Sequence, residues 1–148
     1  MNVSPAMRRK ARHYAMQSLY QWHMAGASLN VIENEYKNDN DMSKVDVGYF
    51  HELLHNTAKN LGDIEALFGP HLQERSIAEL DPITMALLRM STYELKYRLD
   101  VPYKVVINES VTLAKKFGAT DAHKFINGVL DCTAADARKV EVAADRKR

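Results

Sequence analysis

The chain has 148 residues, 46% apolar and 26% charged, with a formal net charge of +1; this suits one well-buried domain and excludes wholesale disorder. No run approaches the roughly 18–20 consecutive apolar residues of a membrane span, and no apolar segment follows the basic start as a secretory signal requires. The lone cysteine, Cys132, excludes an internal disulfide framework and suits a reducing cytoplasm.

Ser4-Pro5 reads as an N-cap followed by proline at the first helical position. A first helix then runs to about Ala25, with Met7, Ala11, Ala15 and Leu19 along one face, and Gly26 ends it. Ser28 caps a second helix through about Tyr36, and Asn38-Asp39-Asn40-Asp41 is loop chemistry. Asp46 starts a third helix whose Phe50, Leu53, Leu54, Thr57, Ala58 and Leu61 share one side, with Gly62 as its expected break or bend before Gly69-Pro70. Asp81-Pro82 is another cap-and-proline start, and Ile83, Leu87, Met90 and Leu95 supply the stripe of the next helix. Lys96 and Arg98 lie in its last turn, where cations meet the negative end of the dipole. Pro102 opens a helix carrying Ile107, Val111, Ala114 and Phe117, stopped by Gly118. Thr120 is the expected cap of the last helix, which buries Phe125, Ile126, Val129, Leu130 and Thr133. From Arg138 onward the segment is charged and apolar-poor, which predicts a frayed tail over 138–148. Nothing alternates with period two between turns, so the predicted fold is all-α, a compact bundle of about six to seven helices.

His51-Glu52-Leu53-Leu54-His55 matches H-E-x-x-H, in which two imidazoles one helical turn apart bind zinc and the glutamate acts as base. Glu74 and Glu79 lie downstream, where a third ligand would be sought. The motif is short, His51 and His55 fall beside the apolar face as rim residues, and no strand is visible to hold a peptide substrate. The metallopeptidase reading is therefore declined, and no catalytic residue, metal or cofactor is assigned. Cys132 reads as a small packing residue, and His13, His23, His71 and His123 as dispersed surface or interface residues.

Charge is unevenly distributed: +4 over residues 1–12, −6 over 13–100, neutral over 101–137 and +3 over 138–148. Basic ends around an acidic middle allow local binding of a polyanion. Arg8 and Arg12 stand one turn apart with Arg9 and Lys10 between them, a guanidinium stripe suited to phosphate or, equally, a solvated basic face. Lys115, Lys116, Phe117, Lys124 and Phe125 mix cations with aromatics, as single-stranded RNA binding requires, although both rings also suit the core.

The opening Arg8-Arg9-Lys10-Ala11-Arg12, with Ala15 and Leu19-Tyr20, resembles the start of the NusB family. So do Leu88-Arg89, Tyr93-Glu94-Leu95, the run Val101 to Glu109, Ala114-Lys115-Lys116-Phe117-Gly118 and the run His123 to Asp131. These blocks cover about Arg8 to Asp131 in the family's order. The resemblance implies one RNA-binding domain over residues 1–137, built from two packed three-helix sub-bundles of about 5–69 and 70–137. It implies a non-enzymatic, cytoplasmic transcription antitermination factor that binds boxA-type single-stranded RNA with NusE, a small-subunit ribosomal protein. That complex would join NusA, NusG and RNA polymerase, chiefly during ribosomal RNA synthesis.

The RNA-facing set is then Arg8, Arg9, Lys10, Arg12, Arg89, Lys115, Lys116, Asp121, Lys124 and Phe125. Tyr20 and the start of the Pro82 helix would face NusE, with Thr84 standing where relatives often carry an acid. A free partner face also permits a homodimer. A detached RNA-binding module of an rRNA methyltransferase and a protein-only scaffold are the competing non-catalytic readings. Asn108 and Asn127 are expected to be buried and hydrogen-bonded, since an unsatisfied amide costs about 1–3 kcal/mol. Gly128 is expected at a close backbone approach, to offset its cost of about 1 kcal/mol in a helix.

Overall fold

The computed structural model describes residues 3–147; residues 1, 2 and 148, the ends of the expected domain and tail, lie outside the described residues. Every regular element among them is helical: α1 (Pro5–Ala25), α2 (Leu29–Asp39), α3 (Val47–Lys59), α4 (Leu61–Phe68), α5 (Pro82–Tyr97), α6 (Tyr103–Phe117), α7 (Ala122–Ala137) and α8 (Lys139–Arg146). Short 3-10 turns at Gly69–His71 and Ile77–Glu79 lead from α4 into α5. No helix among the described residues is long and apolar enough to cross a membrane.

The local start signals act as expected. The Ser4 hydroxyl accepts the Met7 N–H at 3.1 Å, and the Asp81 carboxylate accepts the Thr84 N–H at 2.9 Å. Gly26 closes α1 with φ +66, a left-handed conformation that costs a side chain dearly, and donates its N–H to the Trp22 carbonyl. Gly118 serves differently: its backbone is extended, but an added Cβ would lie 2.7 Å from the Ala114 carbonyl oxygen.

Helix α5 is central. It packs against α1, α3, α4, α6 and α7, and so buries Thr84 to Leu88 and Met90 to Leu95 instead of one stripe. Helix α1 buries Ala11, Ala15, Met16 and Leu19 against α3 and α5, while Phe50, Leu53 and Leu54 of α3 fill the space between them. Helix α4 lies against α5 and α7.

Several expectations are corrected. The break after α3 falls at Asn60, not Gly62, because the Asn60 side chain turns back to donate to the Asn56 carbonyl at 2.7 Å. The N-cap position of α7 is Asp121 at φ +65, not Thr120, and Asp121 makes no side-chain capping bond. Asn108, Asn127 and Cys132 are exposed, and nothing lies within 4 Å of a Cβ built on Gly128. A residue next to the apolar stripe is turned a further 100° round the helix, here outward.

The segment after Ala137 does not fray. The buried Arg138 guanidinium donates to the carbonyls of Glu94 (3.1 Å), Leu95 (2.6 Å), Arg98 (2.8 Å) and Val101 (2.9 Å). It thereby satisfies the open C-terminal end of α5. Helix α8 then buries Val142, and Glu141 accepts both the Arg138 guanidinium and the Tyr103 N–H that begins α6.

Candidate nucleic-acid interface

The four cations of the first helix have three different fates. Arg12 points inward, its side chain 4% exposed, and donates from Nε and Nη2 to the two oxygens of Glu94 at 2.8 Å each. Burial opposes the charge on Arg12, but the hydrogen bonds and attraction of Glu94 outweigh it and hold the pKa above its usual range. The Tyr49 hydroxyl donates to the same carboxylate. Burial first, then the charge of Glu94, raises the Tyr49 phenol far above its usual range, so it remains a donor. Arg12 is therefore a structural member of the α1–α3–α5 junction, and its assignment to RNA is withdrawn.

Arg8 is drawn to the same junction. Its guanidinium lies 4.4 Å over the Tyr49 ring and within 3.6–3.7 Å of Asp46 and Asp100. Arg9 is 58% exposed and meets Glu109 of α6 at 3.2 Å. Lys10 is exposed and has no ion pair among the described residues. The guanidinium stripe read from spacing is thus not one unit.

Side chains of α1 reach α6 at two places, Arg9 to Glu109 and His13 to Phe117. His13 stacks on Tyr14 and meets the Phe117 ring at 4.9 Å between centroids. Lys116 holds its ammonium 5.3 Å from the Phe117 centroid, and Lys115 beside it is exposed. Neither lysine has an ion pair among the described residues. Burial first, then the charges of Lys116 and Lys10, lowers the His13 pKa below its usual value. Lys10 stands three residues before His13 on α1, on the same side of the helix. Lys116 thus lies beside the half-buried pair of His13 and Phe117, Lys10 is one turn before His13, and Arg9 and Lys115 are their neighbours in sequence.

Asp121, Lys124 and Phe125 lie at the start of α7, past the turn that follows Phe117. Lys124 is 70% exposed and lies 3.3 Å from Asp121. Phe125 is half-buried against the core, with the Arg75 guanidinium 4.5 Å over its ring. Arg89 is not part of this surface. Its side chain is 12% exposed and turned to Glu65 of α4 at 3.5 Å, so its assignment to RNA is also withdrawn.

Tyr20, expected to meet a partner, lines a groove of about 350 Å³ with Met16, Gln17, Gln21, Tyr36, Ile83 and Phe117. Thr84 does not reach it: the residue is buried and its hydroxyl donates to Asp81 at 2.8 Å. Ile83 at the start of α5 lines the groove instead, and Phe117 lies both in the groove and against His13. His13 fits its expected surface or interface placement and Ile83 lies at the expected start of the Pro82 helix, whereas Glu109, the partner of Arg9, is not among the expected site residues. The i, i+3 spacing of Lys10 and His13 was a local signal linking that histidine to a cation.

The H-E-x-x-H segment lies on α3, with Glu52 turned away from the two histidines. Its carboxylate accepts the Tyr93 hydroxyl at 2.8 Å and the Arg98 guanidinium at 2.7 Å. Glu79 accepts the N–H and hydroxyl of Ser76 in a capping box. Neither carboxylate fills the role a peptidase gives it.

A family model described as the NusB family matches residues 9–135. The transcription antitermination protein NusB of Teredinibacter turnerae is 60% identical over 146 residues, covering 99% of each chain. Its counterpart in Saccharophagus degradans is 58% identical, covering 99% of this chain and 97% of its own. Among solved structures, NusB of T. maritima superposes with a TM-score of 0.81 at 27% identity, covering 96% of this chain and 99% of that one. A chain from a complex of antitermination factors NusB and NusE with dsRNA superposes with a TM-score of 0.76 at 26% identity, covering 90% and 99%.

Proposed function

The chain belongs to the NusB family, and from that premise we propose that it is a cytoplasmic, non-enzymatic transcription antitermination factor that binds boxA-type single-stranded RNA together with NusE. The observation that carries this reading is the contact of His13 with Phe117, with the Lys116 ammonium beside the Phe117 ring and the exposed Lys10 one turn before His13 on α1. Exposed ammonium groups without carboxylate partners neutralise phosphates, and aromatic faces at the same surface accept unstacked bases. Shape readout of a duplex would not need such rings. The groove lined by Tyr20, Ile83 and Phe117 adjoins this surface and receives NusE, so that protein and RNA meet at Phe117. The occupied complex then joins NusA, NusG and RNA polymerase during ribosomal RNA synthesis. Residues 3–147 act as one RNA-binding domain, with α8 as part of it.

A titration with boxA RNA, scrambled RNA and a duplex, each with and without NusE, tests the proposal. Tightest binding is expected for boxA with NusE present, and Lys10→Ala plus Lys116→Ala should flatten the log–log salt slope by about 1.4, at about 0.7 per phosphate contact. Equal affinity for all three nucleic acids, or an unchanged slope in the double variant, would refute it.

A further inference from the structure

We propose that Glu33, His51 and His55 form a divalent transition-metal site that clamps α2 to α3. One ligand atom from each residue lies within 4.8 Å of the other two. Glu33 Oε2 sits 2.7 Å from His51 Nδ1, and Glu33 Oε1 sits 2.9 Å from His55 Nε2. The two imidazoles are stacked, with centroids 4.2 Å apart and planes 29° apart, so both rings address the one carboxylate from the same side. Two imidazole nitrogens and a carboxylate oxygen are a ligand set of borderline softness that suits zinc, nickel and copper and is poor for magnesium or calcium. Metal bonds of about 2.0–2.2 Å would take up the space now occupied by the two nitrogen–oxygen contacts. Ligand atoms of a tetrahedral ion stand about 3.4 Å apart at that bond length, so each contact would widen by about 0.5–0.7 Å.

The placement gives such an ion a role. Helix α2 fully buries only Ile32 and Glu33, with Leu29 and Tyr36 half-buried against the core, and Glu33 is 5% exposed where α2 meets α3. His51, with its side chain 55% exposed, leaves an entry path and room for water as a fourth ligand. Lys37 opposes the ion: its ammonium lies 3.3 Å from Glu33 Oε2, but at 36% side-chain exposure it is able to swing into solvent. Glu52 is held by Tyr93 and Arg98 and offers no base to a metal-bound water. The site is structural, not hydrolytic.

Calorimetric titration of the full, metal-free chain with zinc, nickel and magnesium salts, together with thermal melting, tests this. Zinc and nickel should bind one-to-one, and magnesium should neither bind nor compete. A metal at one hundred times Kd should raise Tm by about 5–10 °C. His51→Ala, at the exposed ligand, and Glu33→Gln, which preserves shape, should each weaken binding at least tenfold, whereas Lys37→Ala should strengthen it. Cooperative melting of the metal-free variants shows that they fold. Absence of saturable one-to-one zinc uptake, or uptake that survives in both ligand variants, overturns the proposal. So does uptake that disappears in Cys132→Ser, which would place the ion on the exposed thiol.

Discussion

Replacing Arg12 by alanine separates the structural cations from those that meet RNA. The substitution removes both hydrogen bonds to Glu94, whose side chain is 1% exposed and retains only the Tyr49 hydroxyl of the contacts described above. Leaving one member of a buried pair uncompensated costs about 3–5 kcal/mol. At about 2–4 °C per kcal/mol for a domain near this size, Tm should fall by about 6–20 °C. Circular dichroism melts measure the fall. Filter binding at low temperature, where the variant remains folded, measures its effect on RNA. The salt slope for boxA RNA should be unchanged, because Arg12 touches no solvent-facing phosphate site. Lys10→Ala supplies the reciprocal control, with little change in Tm and a slope reduced by about 0.7. An Arg12→Ala protein that melts as the parent does, yet loses slope as Lys10→Ala does, would refute this division of roles.

Three further outcomes follow from the same contacts. Protonating His13 is disfavoured in the free protein by burial and by Lys116 and Lys10. Its folded pKa therefore lies below the unfolded one, and its contribution to stability should decline as pH falls through the unfolded value near 6.5. Phosphate beside it reverses the preference, so RNA affinity should rise over the same interval and do so less in His13→Gln; equal pH profiles for both proteins would count against His13 at the interface. Arg138→Ala strips hydrogen bonds from the end of α5 and should cost about 3 kcal/mol or more, measured by urea unfolding, with α8 amides losing exchange protection; parental stability would show α8 to be passive. Tyr20→Ala should weaken NusE binding at least about tenfold, as loss of an aromatic anchor does, and Thr84→Ala should not; the opposite order would return the partner contact to Thr84.

The features legible in the sequence were those decided within one helical turn. Ser4-Pro5, Asp81-Pro82 and Gly26 mark helix ends because the orphan groups they satisfy lie three or four residues away. Apolar spacing likewise found the buried faces of α1, α3 and α7. What escaped depends on partners distant in sequence. Arg12 looked like a phosphate ligand because its carboxylate is 82 residues away on α5. The tail looked disordered because Arg138 finds its acceptors 37 to 44 residues upstream, at the end of a helix already complete by local rules. His51 and His55 looked like a rim because Glu33, the residue that unites them, belongs to another helix. The basic surface is half visible: residue type names Lys10 and Lys116, but only the contact of His13 with Phe117 joins the two helices that carry them.

Burial also fixes how many cations remain for RNA. Arg12 and Arg138 are committed to the interior, Arg89 to α4 and Arg8 to the Tyr49 junction. Arg9 and Lys124 sit in exposed pairs with Glu109 and Asp121, and such pairs contribute only about 0–1 kcal/mol. A phosphate oxygen replaces the carboxylate there at little cost, so both still count. With Lys10, Lys115 and Lys116 the surface offers five cations, which sets a log–log salt slope near −3.5 for the chain alone on single-stranded RNA. Any steeper dependence in the presence of NusE must come from cations on that partner. Titrations across a range of salt, first with the chain alone and then with NusE, give both slopes. A slope for the chain alone well beyond −3.5 would mean that the buried arginines are released on binding, against the geometry of the Glu94 and Arg138 contacts.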